Sequence, residues 1–590
     1  MNAVLDLGVH ALLGAYRAGT LSVRQTIEAV LVRIAAAGDD KVWISRPPNA
    51  ALLAQAEALD ARRGEAGRLP LYGVPFAVKD NIDVEGLATT AACPGFAYQP
   101  RKSAEVVQRL VDAGAIVIGK TNLDQFATGL VGVRSPYGVP RNPFNANYVP
   151  GGSSSGSAVA VSSGLVSFAL GSDTAGSGRV PAGFNNIVGL KPTPGRFSNK
   201  GVVPACASLD CVSILALSCA DAALVSSIVD TLPPQGYSSG RFTFGVPRQL
   251  EFFGDENYAS LYDQAVDKLK SFGGTAVSFD YTPFHEAAQL LYNGPWVAER
   301  AAAVGKFIEA ADPDAKVWPV TRDIILRGFE YSAIDAFEGQ YKLTLLRQRA
   351  QAEMVELDFL VLPTAGTIYT LAELEREPML LNSNLGHYTN FVNFFRLSAL
   401  ALPAGFRRDG MPFGITFVGH PHWDRMLLEF GARWQRAVPL PLGRTQSRLP
   451  EPSADPTSPL DERLLIAVVG AHMSGLPLNR QLTELGGRLE SVGKTAPVYR
   501  FYALSGGPPA RPGLVRVDKE GGAIELEVWS LPTAAVGAFA RQIPAPLGLG
   551  TVTLADGSGV LGFLCESYAT QSARDITALG GWRAYLKSLA

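Results

Sequence analysis

Two short segments concentrate hydroxyl groups and glycines in a way that could serve catalysis. Gly151-Gly-Ser-Ser-Ser-Gly-Ser157 opens a run of small residues reaching Gly164, and Leu170-Gly-Ser-Asp-Thr-Ala-Gly-Ser-Gly-Arg179 follows one predicted strand later. A flexible Gly/Ser linker has similar composition, but it would not be embedded in apolar patterning on both sides. A phosphate-binding loop fails too, because neither segment ends in the Gly-Lys-Ser/Thr that places a lysine on β- and γ-phosphates. What remains is a pair of serine-rich turns of the kind that could hold a nucleophile. A serine hydroxyl attacks only when a base removes its proton, and neither segment offers the histidine and carboxylate pairing of a Ser-His-Asp triad. The base must come from elsewhere in the chain.

The elements that must position these segments read as an α/β body. Ala104 to Ala113 has helical periodicity closed by Gly114, and Ala115-Ile-Val-Ile-Gly119 follows as a strand, which is βαβ grammar. Phe359-Leu-Val-Leu362 is continuously apolar, predicting a strand buried on both faces of a mainly parallel or mixed sheet covered by helices. Pro439, Pro441, Pro450, Pro452, Pro456 and Pro459 crowd one stretch that helices and central strands would not tolerate. The expected organisation is therefore a body over residues 1–440, a proline-rich linker over 441–460 and a tail over 461–590, without internal repeats. In the tail, Leu464 to Val469, Val498 to Tyr502, Leu514 to Val517, Ile524 to Trp529, Thr551 to Leu554 and Val560 to Leu564 read as strands. Gly521-Gly522 and Asp556-Gly557 read as hairpin turns in a compact α+β domain.

Composition narrows the function. Among 590 residues, 52 Lys+Arg against 54 Asp+Glu give a net charge of −2, and only 18% are charged. A chain without basic excess is a poor match for nucleic acid. The 47% hydrophobic content with 61 Gly and 40 Pro describes a large buried core joined by many turns, an enzyme-sized protein. No targeting signal is read at the N-terminus, where the first basic residue is Arg17 and Asp6 and His10 interrupt the apolar stretch. No run approaches the ~18 apolar residues of a membrane span. The five cysteines (Cys93, Cys206, Cys211, Cys219, Cys565) are odd in number and form no CxxC pair, arguing against a disulfide framework or a zinc site and for a reducing cytoplasm. His420 and His422 lack nearby ligands and read as structural. No cofactor and no metal are expected.

Gly151-Gly-Ser-Ser, with Ser177 24 residues after Ser153 and Lys79 upstream in Gly73-Val-Pro-Phe-Ala-Val-Lys-Asp-Asn-Ile82, resembles the amidase signature family. Gly119-Lys-Thr-Asn-Leu-Asp124, Arg141-Asn-Pro-Phe144 and Gly189-Leu-Lys-Pro-Thr193 resemble that family's other blocks, so the likeness covers most of residues 1 to 440. It implies the amidase signature fold and a Ser-Ser-Lys triad in which Ser177 is the nucleophile and Ser153, preceded by a cis peptide, relays the proton to Lys79. A lysine on a buried strand can fulfil that role, because burial lowers its pKa from ~10.4 by up to ~3–5 units. The resemblance also implies an oxyanion hole from the amides of Thr174, Ala175, Gly176 and Ser177. The family usually has glycine at position 175, so Ala175 narrows the pocket. Ser154 and Ser155 are expected to support by hydrogen bonding and Asp173 to orient the loop.

Tyr292-Asn-Gly-Pro-Trp-Val-Ala-Glu-Arg300 and Asn382-Ser-Asn-Leu-Gly-His-Tyr-Thr-Asn-Phe-Val392 resemble the allophanate hydrolase branch of the family. Allophanate is a urea carrying a carboxylate, and the branch's cation and hydroxyl for the substrate's far end match Arg300 and Tyr292. The competing reading makes Arg300 a surface ion-pair partner worth ~0–1 kcal/mol. In the tail, Gly470-Ala-His-Met-Ser-Gly-Leu-Pro-Leu-Asn479 resembles the C-terminal domain of full-length members, whose pattern is distantly similar to the γ-glutamyl-cyclotransferase fold. There His472 is a catalytic candidate for carrying the first product on to ammonia and carbon dioxide. The implied partners are allophanate, biotin-dependent urea carboxylase as the enzyme acting before it in urea degradation, and a second copy in a homodimer. Two alternatives stay open: an amidase of another small amide, or a glutaminase-type subunit of a tRNA amidotransferase. In either, the tail would be a binding or dimerisation module.

Overall fold

The Ala104–Gly119 stretch folds as its periodicity predicts. Helix Glu105–Asp112 turns Val106, Val107 and Leu110 inward, Gly114 adopts φ +98°, and the chain enters a strand at Ile116. The computed structural model describes residues 5–230, 242–445, 447–449, 463–506 and 509–589. One compact unit ends at Leu449 and a second runs from Pro450 to Ala590.

Eleven strands of the first unit form one sheet: β1 (Trp43–Ser45), β2 (Pro75–Lys79), β3 (Ile116–Thr121), β4 (Phe168–Asp173), β5 (Val188–Lys191), β6 (Cys211–Ala216), β7 (Phe242–Pro247), β8 (Gly274–Phe279), β9 (Phe359–Pro363), β10 (Ser398–Phe406) and β11 (Pro412–Gly419). Their order is β1-β3-β2-β4-β6-β5-β10-β11-β9-β7-β8. β2 runs parallel to β3 and β4, whereas β4 and β6 are antiparallel, so the sheet is mixed. Every residue of β2, β3, β4 and β9 is buried, the expected result for strands covered on both faces. Phe76 of β2 stacks on Phe168 of β4 with centroids 5.0 Å apart. Because β2 and β4 are parallel, Lys79 and Asp173 emerge at the same edge, the carboxyl end where α/β sheets present their sites.

The second unit holds a five-stranded sheet and a three-stranded one. The five-stranded sheet joins β12 (Arg463–Val468), β13 (Arg488–Lys494), β16 (Glu525–Pro532), β17 (Leu547–Thr553) and β18 (Gly559–Cys565). The other joins β14 (Tyr499–Leu504), β15 (Arg511–Arg516) and β19 (Arg574–Asp575). All six expected strands are present, and Asp556-Gly557 turns the β17–β18 hairpin with Gly557 at φ +86°. Gly521-Gly522 does not turn a hairpin, because β15 and β16 belong to different sheets. β13 escaped the sequence reading. It is an edge strand exposed along its whole length, so it carries no alternation of buried and exposed positions.

The proline-rich stretch begins on the body. Asn186 donates to the carbonyls of Pro441 and Gly443, Arg444 N–H donates to Ser162 O, and Leu442 is buried. Residues 441–445 are therefore held in place, and residues 450–462 of the expected linker lie outside the described residues. Among the described residues, no helix is long and apolar enough to cross a membrane.

Candidate active site

Lys79 closes β2 with its ammonium nitrogen fully buried. Nζ lies 2.7 Å from Ser153 Oγ and 2.9 Å from Ser172 Oγ, and Asn81 Nδ2 donates to the same Ser172 hydroxyl at 3.2 Å. Burial pushes the lysine pKa down to about 7, against the opposing pull of Asp124, Asp173 and Asp210. A sizeable neutral fraction at neutral pH follows.

Ser153 precedes the buried helix Ser155–Ser162, and the Gly152–Ser153 peptide is cis. Gly152 has no room for a side chain, since a Cβ there would lie 2.1 Å from Asp124 Oδ2. Asp124 organises this corner: its carboxylate accepts from the amides of Val131 (3.2 Å), Gly132 (2.9 Å) and Arg134 (2.9 Å), and its own amide donates to Ser153 O. The expected supporting roles have partners too, with Ser154 Oγ against Ser172 O and Ser155 Oγ against Asn122 O.

Ser177 lies in the turn between β4 and helix Arg179–Phe184, and its carbonyl accepts from Ser154 N–H at 3.2 Å. Its hydroxyl makes no hydrogen bond among the described residues. Asp173 holds the turn. Arg179 meets it through Nε (3.0 Å) and Nη2 (2.9 Å), and the amides of Gly176 and Gly178 donate to it at 2.9 and 3.0 Å. Burial favours protonation of this carboxyl, but Arg179, Lys191 and the Gly178 amide outweigh it and hold the pKa below the ordinary value. Asp173 is thus an ionised orienting group.

The four expected oxyanion donors divide. Gly176 N–H is already committed to Asp173, whereas those of Thr174, Ala175 and Ser177 donate to no protein acceptor among the described residues. Gly176 sits at φ +131°, and a Cβ there would strike Thr389 Oγ1 at 2.3 Å. Glycine is required at that position.

Arg300 ends the short helix Val297–Arg300 and is 2% exposed. Its guanidinium carbon lies 5.4 Å from the Tyr292 ring centroid, and Nη1 donates to Thr128 Oγ1 at 2.9 Å. No carboxylate lies within ion-pair distance among the described residues, and Nε has no partner. The surface ion-pair reading of Arg300 is excluded by this burial. Arg134, also 2% exposed, reaches the same turn through Thr128 O (3.1 Å) and Pro378 O (3.0 Å). Trp296, Cys206 and Ala175 belong to one apolar cluster, and Cys206 Sγ donates to the Trp296 carbonyl.

His472 belongs to the second unit, following β12. Nε2 meets Gln481 Oε1 at 2.8 Å, the ring stacks on Phe563 with centroids 5.1 Å apart, and Asn479 donates to the His472 carbonyl. It lines a cavity of about 200 Å³ together with Gln481, Arg511, Gln542 and Phe563. Burial lowers its pKa. His420 instead bonds the Leu357 carbonyl and packs on Trp423, a structural setting.

Sequence reasoning missed Ser172, Thr128 and Arg134, and quoted Asp124 only as part of a block. For Ser172 a signal existed, since it lies on the strand paired with β2. Arg134 and Thr128 carried none, because loop geometry alone brings them beside Arg300.

Sequence and fold relate this chain to known proteins. A family model described as Amidase matches residues 25–428, and one described as Allophanate hydrolase C-terminal domain matches residues 464–587. The solved allophanate hydrolase of Kluyveromyces lactis is 40% identical, with all of both chains covered and a TM-score of 0.79. The urea amidolyase of Saccharomyces cerevisiae is 44% identical over 93% of this chain. This chain spans 31% of that protein's length, about a third of the urea amidolyases it matches. A glutamyl-tRNA(Gln) amidotransferase subunit from Chloroflexus aurantiacus is 32% identical over 74% of this chain. With the amidase model covering most of the body and a full-length likeness that extends through the tail, the chain belongs to the amidase family, in its allophanate hydrolase branch.

Proposed function

We propose that this chain hydrolyses allophanate, releasing ammonia at a Ser177–Ser153–Lys79 site. Arg300 carries the reading. It is a buried guanidinium with no carboxylate at ion-pair distance among the described residues, and a carboxylate bound there would give it a direct, charge-assisted partner. A neutral substrate would not.

In this mechanism neutral Lys79 takes the proton of Ser153 as Ser153 takes that of Ser177. Ser177 Oγ then attacks the terminal amide carbonyl. The developing oxyanion is met by the uncommitted amides of Thr174, Ala175 and Ser177, each such donor being worth about 10²–10³ in rate. Gly176 contributes by holding the turn through Asp173 rather than by a fourth bond. The relayed proton returns to the leaving nitrogen, which departs as ammonia, and water cleaves the resulting ester to N-carboxycarbamate. That product breaks down to ammonia and two molecules of carbon dioxide.

His472 is the group we assign to assisting this breakdown in the tail. Burial disfavours its protonated form, Phe563 shields one face, and it borders a cavity large enough for a small dianion with Arg511 on its wall. A cytoplasmic, biotin-dependent urea carboxylase would supply the substrate. The test is ammonia release from allophanate, urea, malonamate and glutamine, with carbon dioxide followed in parallel. Turnover of allophanate far above the other three is expected, and turnover of glutamine without allophanate would refute the reading.

A further inference from the structure

Two tight turns beside Arg300 are built from residues that rarely adopt their conformation. Ala91 and Ala92 in one, and Phe126 and Ala127 in the other, lie in the left-handed region at φ +49°, +58°, +51° and +53°. For non-glycine residues, bulky ones such as phenylalanine above all, that region is sterically unfavourable and persists only where the surroundings over-determine it. Here they do. Phe126 N–H donates to Ala91 O at 3.0 Å, and the fully buried Gln125 side chain donates to the carbonyls of Ala92 and Lys316 at 2.9 Å each and accepts from Trp318 N–H at 2.7 Å. Phe126 also shares one apolar cluster with Ala91, Val304 and Ile308, the last two from the chain shortly after Arg300.

What these turns deliver is Thr128. Its N–H donates to Gln125 O at 3.0 Å, and its hydroxyl spends its one hydrogen on Phe126 O at 3.2 Å. Towards Arg300 the hydroxyl oxygen is therefore an acceptor, taking Nη1 at 2.9 Å, with Ala127 O 3.5 Å from the same nitrogen. A guanidinium over an aromatic ring can still rotate, and the Tyr292 face at 5.4 Å does not choose among those orientations. The Thr128 bond does. With Nη1 committed, Nε and Nη2 donate to no group among the described residues, and Nε is buried. Those two nitrogens form one side of the fork, a pair of parallel donors that matches the two oxygens of a carboxylate.

We infer that Thr128 is a positioning residue for acid selectivity: by taking Nη1 it turns the Arg300 guanidinium so that the Nε and Nη2 side is left for the substrate carboxylate. The inference rests on the assignment of Arg300 to that carboxylate, and it gives the strained turns their purpose.

Steady-state kinetics of the full chain on allophanate and on biuret, a neutral analogue, tests this. Thr128→Val keeps the shape and removes the hydroxyl, and it should lower the allophanate-to-biuret ratio of kcat/KM by roughly tenfold or more, because a hydrogen bond to a charged group is lost. The loss should appear in KM for allophanate with kcat nearly unchanged, since the carboxylate is held alike in the ground and transition states. Thr128→Ser restores the hydroxyl and should keep the ratio within about threefold of wild type. Thr128→Ala repeats the deletion with less bulk should valine not be accommodated. A ratio untouched by loss of the hydroxyl, equal losses on both substrates, or a serine variant no better than the valine one would overturn the inference. Arg300→Ala, measured alongside, separates the two readings. If it keeps the ratio, the carboxylate assignment falls and Thr128 with it; if it loses the ratio while Thr128→Val keeps it, the role of Thr128 falls alone.

Discussion

Titration of Lys79 offers the sharpest test of the chemistry. With a pKa near 7, about half the molecules hold the neutral amine at pH 7, and each unit below that removes about a factor of ten. The kcat/KM for allophanate should therefore climb tenfold per pH unit below 7 and level off above it, along a single ionisation. An unperturbed lysine would instead keep climbing towards its ordinary pKa of 10.5. Lys79→Arg puts a permanently charged group in the same place and should abolish turnover at every pH. Stability supplies an independent readout. Between 7 and 10.5 the unfolded chain binds a proton at residue 79 that the folded chain does not, so folding gains stability as pH rises through that window. Below 7 both states are protonated, and the cost of burying the charge is present in full. Lys79→Met should thus melt higher than wild type at pH 6, with the gap closing towards pH 10. A kcat/KM profile still rising at pH 9, or a gap independent of pH, would refute a depressed lysine acting as the base.

Three further outcomes follow from the site. Ser177→Ala should abolish ammonia release while leaving the melt unchanged, because the hydroxyl bonds to no protein group among the described residues; acid-quenched protein from the wild type, and not from the variant, should carry a mass increment for the ester. Arg300→Ala should lower kcat/KM for allophanate by about 2–5 kcal/mol, roughly 30-fold to several thousandfold, yet leave biuret turnover unchanged or improved, and Tyr292→Phe should cost only ~0.5–1.5 kcal/mol. Equal losses on both substrates would make Arg300 a structural residue. A chain ending at Leu449 should fold and release the first ammonia, since it keeps the Asn186 contacts of Pro441 and Gly443; an insoluble product would show dependence on the tail.

How much of this was legible beforehand depends on what kind of fact each residue states. β3, β9 and the helix between Glu105 and Asp112 are set by local patterning, which could be read directly. Lys79, Ser153 and Ser177 were singled out through a resemblance carried by two glycine-rich turns, and those glycines have visible steric causes: Gly152 under Asp124 and Gly176 under Thr389. β13 stayed hidden because an exposed edge strand owes its shape to its neighbour β16 rather than to its own pattern. Gly521-Gly522 misled because a two-glycine turn says only that the chain reverses, not which sheet it enters next.

The substrate end of the site lies furthest from what a sequence can state. A residue's type fixes its charge, but whether that charge is answered is a property of the packing around it. Arg179 and Arg300 are both arginines on short buried helices, and both are at most 2% exposed. Arg179 is matched by Asp173 through two hydrogen bonds and is spent on the turn. Arg300 has Thr128 and the face of Tyr292, neither of them an anion. Arg134 beside it adds a second cation, with its fork satisfied by carbonyls. Tyr292, Cys206, Asp210 and Glu299 favour the charge on Arg300 from a distance and Asp124 that on Arg134, but neither guanidinium has a carboxylate within ion-pair distance among the described residues. If Arg300 receives the substrate carboxylate as proposed, preference for an acid over its amide would arise at this end of the site, apart from the contacts to the reacting amide.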